Sequence, residues 1–191
     1  MPGKKSIKRT PRKPLKQSSS KKRSARKSRQ PAANKTKHAL PLRHALATLA
    51  YRAAKPLRDA PADFSSFRAA EGSRSAGEIL AHLGDLMDWA LSLARGKEKW
   101  RNSKPQLWPD DVARFFAAAS LVDQQLASEA ALGAPAEKIF QGAIADSLTH
   151  VGQIAMLRRL AGAPVRGENY AVALIEIGRT GPDQKAAVFE F

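Results

Sequence analysis

The sequence predicts an all-α protein: a four-helix bundle with a C-terminal strap and a disordered, basic N-terminal tail. Three observations predict it. Four segments of roughly 16–25 residues repeat apolar side chains at the helical period of 3.6, and none alternates as strands do. The charge sits at one end. Of the 33 Lys and Arg residues, 15 fall in residues 1–37, which contain no Asp or Glu, so the formal net charge of +16 belongs almost wholly to that stretch. Residues 38–191 are read as one nearly neutral domain, whose interior the high net charge does not describe.

Residues 1–37 hold four prolines, serine clusters and no aromatic residue, which predicts disorder. The densest basic run contains Lys21, Lys22, Arg23, Arg26, Lys27 and Arg29. Such a run neutralises phosphates by counterion release, so weak, sequence-independent binding of nucleic acid or another polyanion is one reading. Without aromatic residues it cannot stack bases. A solvated, dispensable extension is the other reading. An acid-free Arg/Ser leader also resembles an organellar transit peptide, but its Lys content and scarcity of Leu argue against that.

The first helix is expected over Leu42–Leu57, where Leu42, Ala45, Leu46, Leu49, Ala53 and Leu57 share one face and Pro61 follows as a breaker. The second spans Ser75–Ala94. Ser75 with Glu78 three positions on has the capping-box pattern, and Gly96 lies just past the end. Its inner stripe is Ile79, Leu83, Leu86, Ala90 and Leu93, with His82 on the flank. Pro109 is placed to open the third helix, since its missing N–H costs nothing in a first turn. Val112, Phe115, Phe116, Ala119 and Leu126 face inward there. The fourth helix starts in GAPAEKIF and runs to Leu160, where Gly162 and Pro164 stop it. Residues 165–191 form the strap, with a helical turn near ENYAVALIEIG.

On a regular fourth helix, Ile139, Ala143, Asp146, His150, Gln153 and Leu157 fall within about 40° of one line at ~100° per residue. Three consecutive members of this expected core stripe are polar, and burying them unpaired costs a few kcal/mol each or more. Two arrangements satisfy them. Asp146 and His150, four residues apart, could bind a divalent metal with His82 as third ligand across the bundle. Three N/O ligands with an open position suit Zn, Ni, Fe or Mn. Alternatively, Asp146 holds His150 or His82 in a buried hydrogen-bonded cluster that Gln153 caps. Asp123 is expected either to orient a histidine or to close a salt bridge near its helix end. Asp85 rotates away from the inner stripe and is read as a rim residue, and His44 as a surface one. Trp89, Trp100 and Trp108 are read as core and loop anchors. Glu168 and Tyr170 are expected to tie down the strap.

There is no cysteine, which excludes disulfides, thiolate metal sites and cysteine nucleophiles. No Ser–His–Asp order or phosphate-cradling glycine loop is present. No apolar run approaches the ~18 residues that span a bilayer, and no secretory core follows the basic N-terminus. A cytoplasmic protein that does not engage membranes is expected. A homodimer through an exposed helix face suits bundles of this kind, although no residue pattern specifies it.

In EILAHLGDLMDWAL, ADSLTHVGQIAMLRRLAGAPVRGENY, the aromatic RFF segment and the ending EIGRTGPDQ, the chain resembles the DinB-like superfamily of bacterial four-helix-bundle proteins. The resemblance covers residues 39–184 and leaves out the basic tail. It implies a divalent metal held by one histidine of the second helix and two of the fourth. By position these are His82, Asp146 and His150, with Asp146 standing where the family usually carries histidine. A carboxylate is a competent ligand that makes the site harder and more negative. Gln153 would help orient a ligand or bound water.

The resemblance also implies a small-molecule substrate. Characterised relatives include S-transferases and a maleylpyruvate isomerase that use low-molecular-weight thiols, so a thiol-dependent transferase or isomerase is the expected enzyme class. A cysteine-free chain would take its thiol from such a cosubstrate, activated at the metal. The competing expectation is a non-enzymatic, stress-associated bundle whose basic tail binds nucleic acid. A relative that keeps the bundle and has lost the ion is the third.

Overall fold

A computed structural model describes residues 30–191, with side chains from Ala39 onward. The basic run from Lys21 to Arg29 lies outside the described residues. The described chain is all-α, with no strand and one isolated antiparallel bridge between Glu168 and Glu190. Helix α1 (Gln30–Leu57) begins inside the stretch read as tail and continues through Pro41. The helix therefore starts twelve residues before the expected Leu42. An interior proline forfeits one backbone hydrogen bond and strains one turn, and the helix carries two, Pro41 and, in its last turn, Pro56.

Helix α2 (Ala76–Ala94) has the expected capping box. The Glu78 N–H donates to Ser75 Oγ at 3.2 Å, and the Ser75 N–H donates to the Glu78 carboxylate at 2.7 Å. It ends in a Schellman turn with Gly96 at φ 68°, the Gly96 N–H donating to Leu93 O and the Lys97 N–H to Ser92 O. Helix α3 (Trp108–Ala127) carries its proline in the first turn. The fourth helical stretch comprises α4 (Ala136–Ile139), a π turn (Phe140–Ile144) and α5 (Ala145–Leu160). It too closes on a Schellman turn, with Gly162 at φ 75°.

Helix α1 packs against α3 and α5, and α2 packs against the same two helices. Leu46, Leu49, Leu80, Leu83, Met87, Phe115, Val122, Leu126, Ile139 and Ile154 are fully buried between them. The inner faces read from periodicity in the first three helices are buried, with Ala45 and Val112 at the margin. The end of α1 is capped by side chains from distant segments. Trp108 Nε1 donates to Leu57 O at 3.0 Å, and the buried Arg158 guanidinium donates to Pro56 O and Arg58 O. Residues after α5 return to α1, where Glu168 accepts from the Tyr51 hydroxyl and lies 3.6 Å from Lys55 Nζ. Tyr170 packs edge-on to Tyr51 and under Arg52. Both residues therefore tie down the C-terminal segment, whose helical turn is Tyr170–Val172.

Gly133 lies so close to the end of α2 that a Cβ there would come within 2.0 Å of the Gly96 nitrogen. Backbone cannot give way as a side-chain tip can, so Gly133→Ala is expected to cost about 1–3 kcal/mol. Gly152, exposed in α5 with nothing within 4 Å of a Cβ, is expected to gain about 1 kcal/mol as alanine through helix propensity. Urea denaturation of the two variants should move the midpoint in opposite directions.

Candidate metal centre

The fourth helical stretch is not a regular α-helix, and this displaces the expected polar stripe. The π turn holds one residue more than an α-turn, which advances the inward line by one position. Ser147, Val151, Ile154 and Leu157 face the core after it, in place of Asp146, His150 and Gln153. The three polar residues are shifted to the flank, where Gln153 is exposed and Asp146 and His150 are half-buried. The core-stripe expectation for them is corrected accordingly. Shifting to the flank brings them alongside α2, on the side from which His82 projects.

His82, Asp146 and His150 meet there. Each offers a ligand atom within 4.8 Å of the other two. His82 Nε2 is 3.5 Å from Asp146 Oδ2, His150 Nε2 is 3.6 Å from Asp146 Oδ1, and the two imidazole centroids are 4.7 Å apart. The triad could hold a metal ion. These separations exceed the 2.7–3.2 Å of ordinary N–H···O hydrogen bonds. The two imidazole–carboxylate separations come close to the ~3.3 Å between neighbouring ligands around a tetrahedral ion with bonds near 2.0–2.1 Å. The donor set fits a compact divalent cation if the two imidazoles, whose ligand atoms lie within 4.8 Å, draw together around it.

Protonation agrees with ligation. His150 Nδ1 lies 2.7 Å from Gln153 Oε1. An amide oxygen only accepts, so the ring donates from Nδ1 and turns Nε2 toward Asp146. Gln153 thus orients His150, whereas the sequence reading gave it the capping of a polar cluster or the orienting of a ligand or bound water. Burial, followed by repulsion from His150 and Arg74, lowers the His82 pKa from 6.5, against the pull of Asp146. A neutral, ligating imidazole is favoured at neutral pH.

Asp123 is not part of this site. It accepts a bidentate pair from Arg43 at 2.8 and 2.9 Å, which is the salt bridge the sequence reading allowed. Asp85, read as a rim residue, is 1% exposed and accepts from the Ser103 N–H and hydroxyl and from Arg114. It anchors the linker after α2, because Ser103 lies three residues beyond Trp100. Trp100 is 48% exposed and edge-on to both His82 and Trp89. Periodicity gave no reason to connect an aromatic residue in a polar linker with His82, since the fold alone brings them together. Trp89, Trp100, Glu98 and Gly142 line a cleft of about 370 Å³ that His82 and Asp146 also enter. A Cβ on Gly142 would meet the Trp89 ring at 2.8 Å, so glycine keeps this wall closely packed. No helix among the described residues is long and apolar enough to cross a membrane. Compared with known proteins, the chain matches no family model, no curated protein and no solved structure.

Proposed function

We propose that the chain is a DinB-like four-helix-bundle protein that holds a divalent transition metal between His82, Asp146 and His150. One observation carries the reading: a carboxylate and two imidazoles from separate helices converge, at separations longer than hydrogen bonds and close to those of ligands on one ion. When bound, the metal would supply Lewis acidity at its open position and lower the pKa of a thiol or water placed there. Gln153, 2.7 Å from His150 Nδ1, orients the ring with Nε2 toward the site. Trp89 and Trp100 wall the cleft adjacent to the centre. Because the chain has no cysteine, thiol-dependent transfer or isomerisation of a small molecule would use an external low-molecular-weight thiol. The carboxylate at Asp146 favours Zn, Fe or Mn alongside Ni and makes the centre less cationic than three histidines would.

Elemental analysis of untagged protein after reconstitution is expected to show one metal per chain, with less in Asp146→Ala and His150→Ala. Wild type carrying no more metal than either variant would remove the reading. The second reading, nucleic-acid binding through Lys21, Lys22, Arg23, Arg26, Lys27 and Arg29, is favoured only by the concentration of charge in residues 1–37. It predicts polyanion binding that falls steeply with salt and disappears when those residues are deleted.

A further inference from the structure

The triad lies between two clefts of different character. His82 and Asp146 reach the aromatic one, which contains Glu98. His150 and Gln153 reach the other, a cleft of about 470 Å³ also lined by Arg74, Ile79, Met156, Leu157 and Leu160. That size lies within the range of small-molecule sites. Its floor is the buried pair Ile79 and Leu157. Its rim carries Met156 and Leu160, which are 51% and 56% exposed. Large apolar side chains left in water beside a cavity point to a ligand that covers them.

Arg74 is the one charged side chain among the residues lining this cleft. It is exposed and forms no ion pair or side-chain hydrogen bond among the described residues. Glu78, four positions along, is already bonded to Arg68 and Ser75. Arg74 is close enough to the triad for its charge to act on His82. An uncommitted guanidinium beside an apolar trough fits one anion joined to one apolar body, because its planar fork binds a carboxylate bidentately. A cation would be repelled, and a ligand with anions at both ends would press one of them against Ile79 and Leu157.

We infer that this second cleft binds an aliphatic monocarboxylate, its head paired with Arg74 next to His150 and its chain lying along Ile79, Leu157, Met156 and Leu160. This names the substrate class of the metal site proposed above and rests on that reading for the chemistry, though not for the binding.

The test is calorimetric titration of the untagged full chain with octanoate and with octanamide, each with and without one equivalent of Co²⁺. Octanoate is expected to bind at least about tenfold more tightly than octanamide, as a charge-assisted pair should. Arg74→Gln should erase that preference and leave octanamide binding unchanged, and Met156→Glu should weaken both ligands. Equal binding of the two ligands, no binding of octanoate to wild type, or a preference that survives Arg74→Gln would overturn the proposal. Failure of Co²⁺ to bind would instead overturn the metal reading, and the metal-free titrations would still decide the cleft. With Co²⁺ bound, tight octanoate binding that Arg74→Gln weakens is expected, and a change in visible absorption on adding octanoate that is equally large in Arg74→Gln would overturn the pairing with Arg74 by placing the carboxylate on the ion.

Discussion

His82→Ala is expected to abolish stoichiometric metal binding while leaving the helices in place. His82 is the only triad member supplied by α2, so its loss leaves two donors on one face of α5 and no clasp between helices. Removing an outer partner of a metal ligand usually costs 10–100-fold in affinity, and loss of a ligand itself should exceed about 100-fold. The effect reaches stability, because a ligand that binds only the native state adds about 2.7 kcal/mol at a concentration 100 times its Kd. For a chain of this size that is a Tm increase of about 5–10 °C on adding metal, which His82→Ala should lack. Thermal melts of both proteins with and without Zn²⁺ read this directly, and equal Zn²⁺-induced shifts would separate His82 from the site.

The same comparison has a pH dependence. The pKa of His82 in the fold lies below its unfolded value of 6.5, so between the two the unfolded chain binds more protons. The stability from keeping this ring neutral is therefore full above pH 6.5 and is lost as pH falls through the folded pKa. Protons and metal compete for the same nitrogen. The Zn²⁺-induced shift should persist at pH 7.5 and shrink progressively below pH 6.5.

Asp85→Ala is expected to cost about 1–3 kcal/mol, because it strips a buried acceptor from Ser103 and one of the two carboxylate partners from Arg114, which keeps Asp88 at 2.9 Å. Burial opposes the Asp85 charge. The Ser103 N–H, the Arg114 guanidinium and the Ser103 hydroxyl together outweigh it and hold the carboxyl below its ordinary 3.8. A depressed folded pKa contributes stability that is present above the unfolded value and lost as pH falls through the folded one. Urea denaturation should give a constant gap between wild type and Asp85→Asn well above pH 3.8, closing as the medium is made more acidic than that. A gap that stays constant through this range would show that the buried charge is not its source. Because Ser103 anchors the linker that bears Trp100, Asp85→Ala should also increase solvent quenching of tryptophan fluorescence.

Much of the helical architecture was legible from pattern alone. The Ser75/Glu78 box, the glycines at 96 and 162 and the proline at 109 act within one or two turns, so their sequence context is nearly their whole physical context. The inner faces of the first three helices followed for the same reason, as an unbroken α-helix carries a stripe forward at constant phase. Gln153 meets His150 because a spacing of three on a helix brings side chains together, a contact the sequence reading placed only within a general polar cluster.

Errors arose wherever distant packing set the local geometry. The first helix was expected to start at Leu42, where its apolar face begins, but α1 extends back to Gln30. Asp85 looked solvated because its partners, Ser103 and Arg114, arrive from the linker and from α3. Arg74 and Trp100 attracted no functional reading, since neither shares a helix face with a histidine.

By itself the sequence determined the helices, their caps, most of their buried faces and the three residue types suited to a cation. Only the tertiary structure decided that Asp146 and His150 lie beside α2 and not in the core, and that His82 meets them. The physical reason is the π turn at Phe140–Ile144: one extra residue shifts the phase of everything after it, and the 3.6-residue period that reveals helices in a sequence carries no mark of where such a turn will fall.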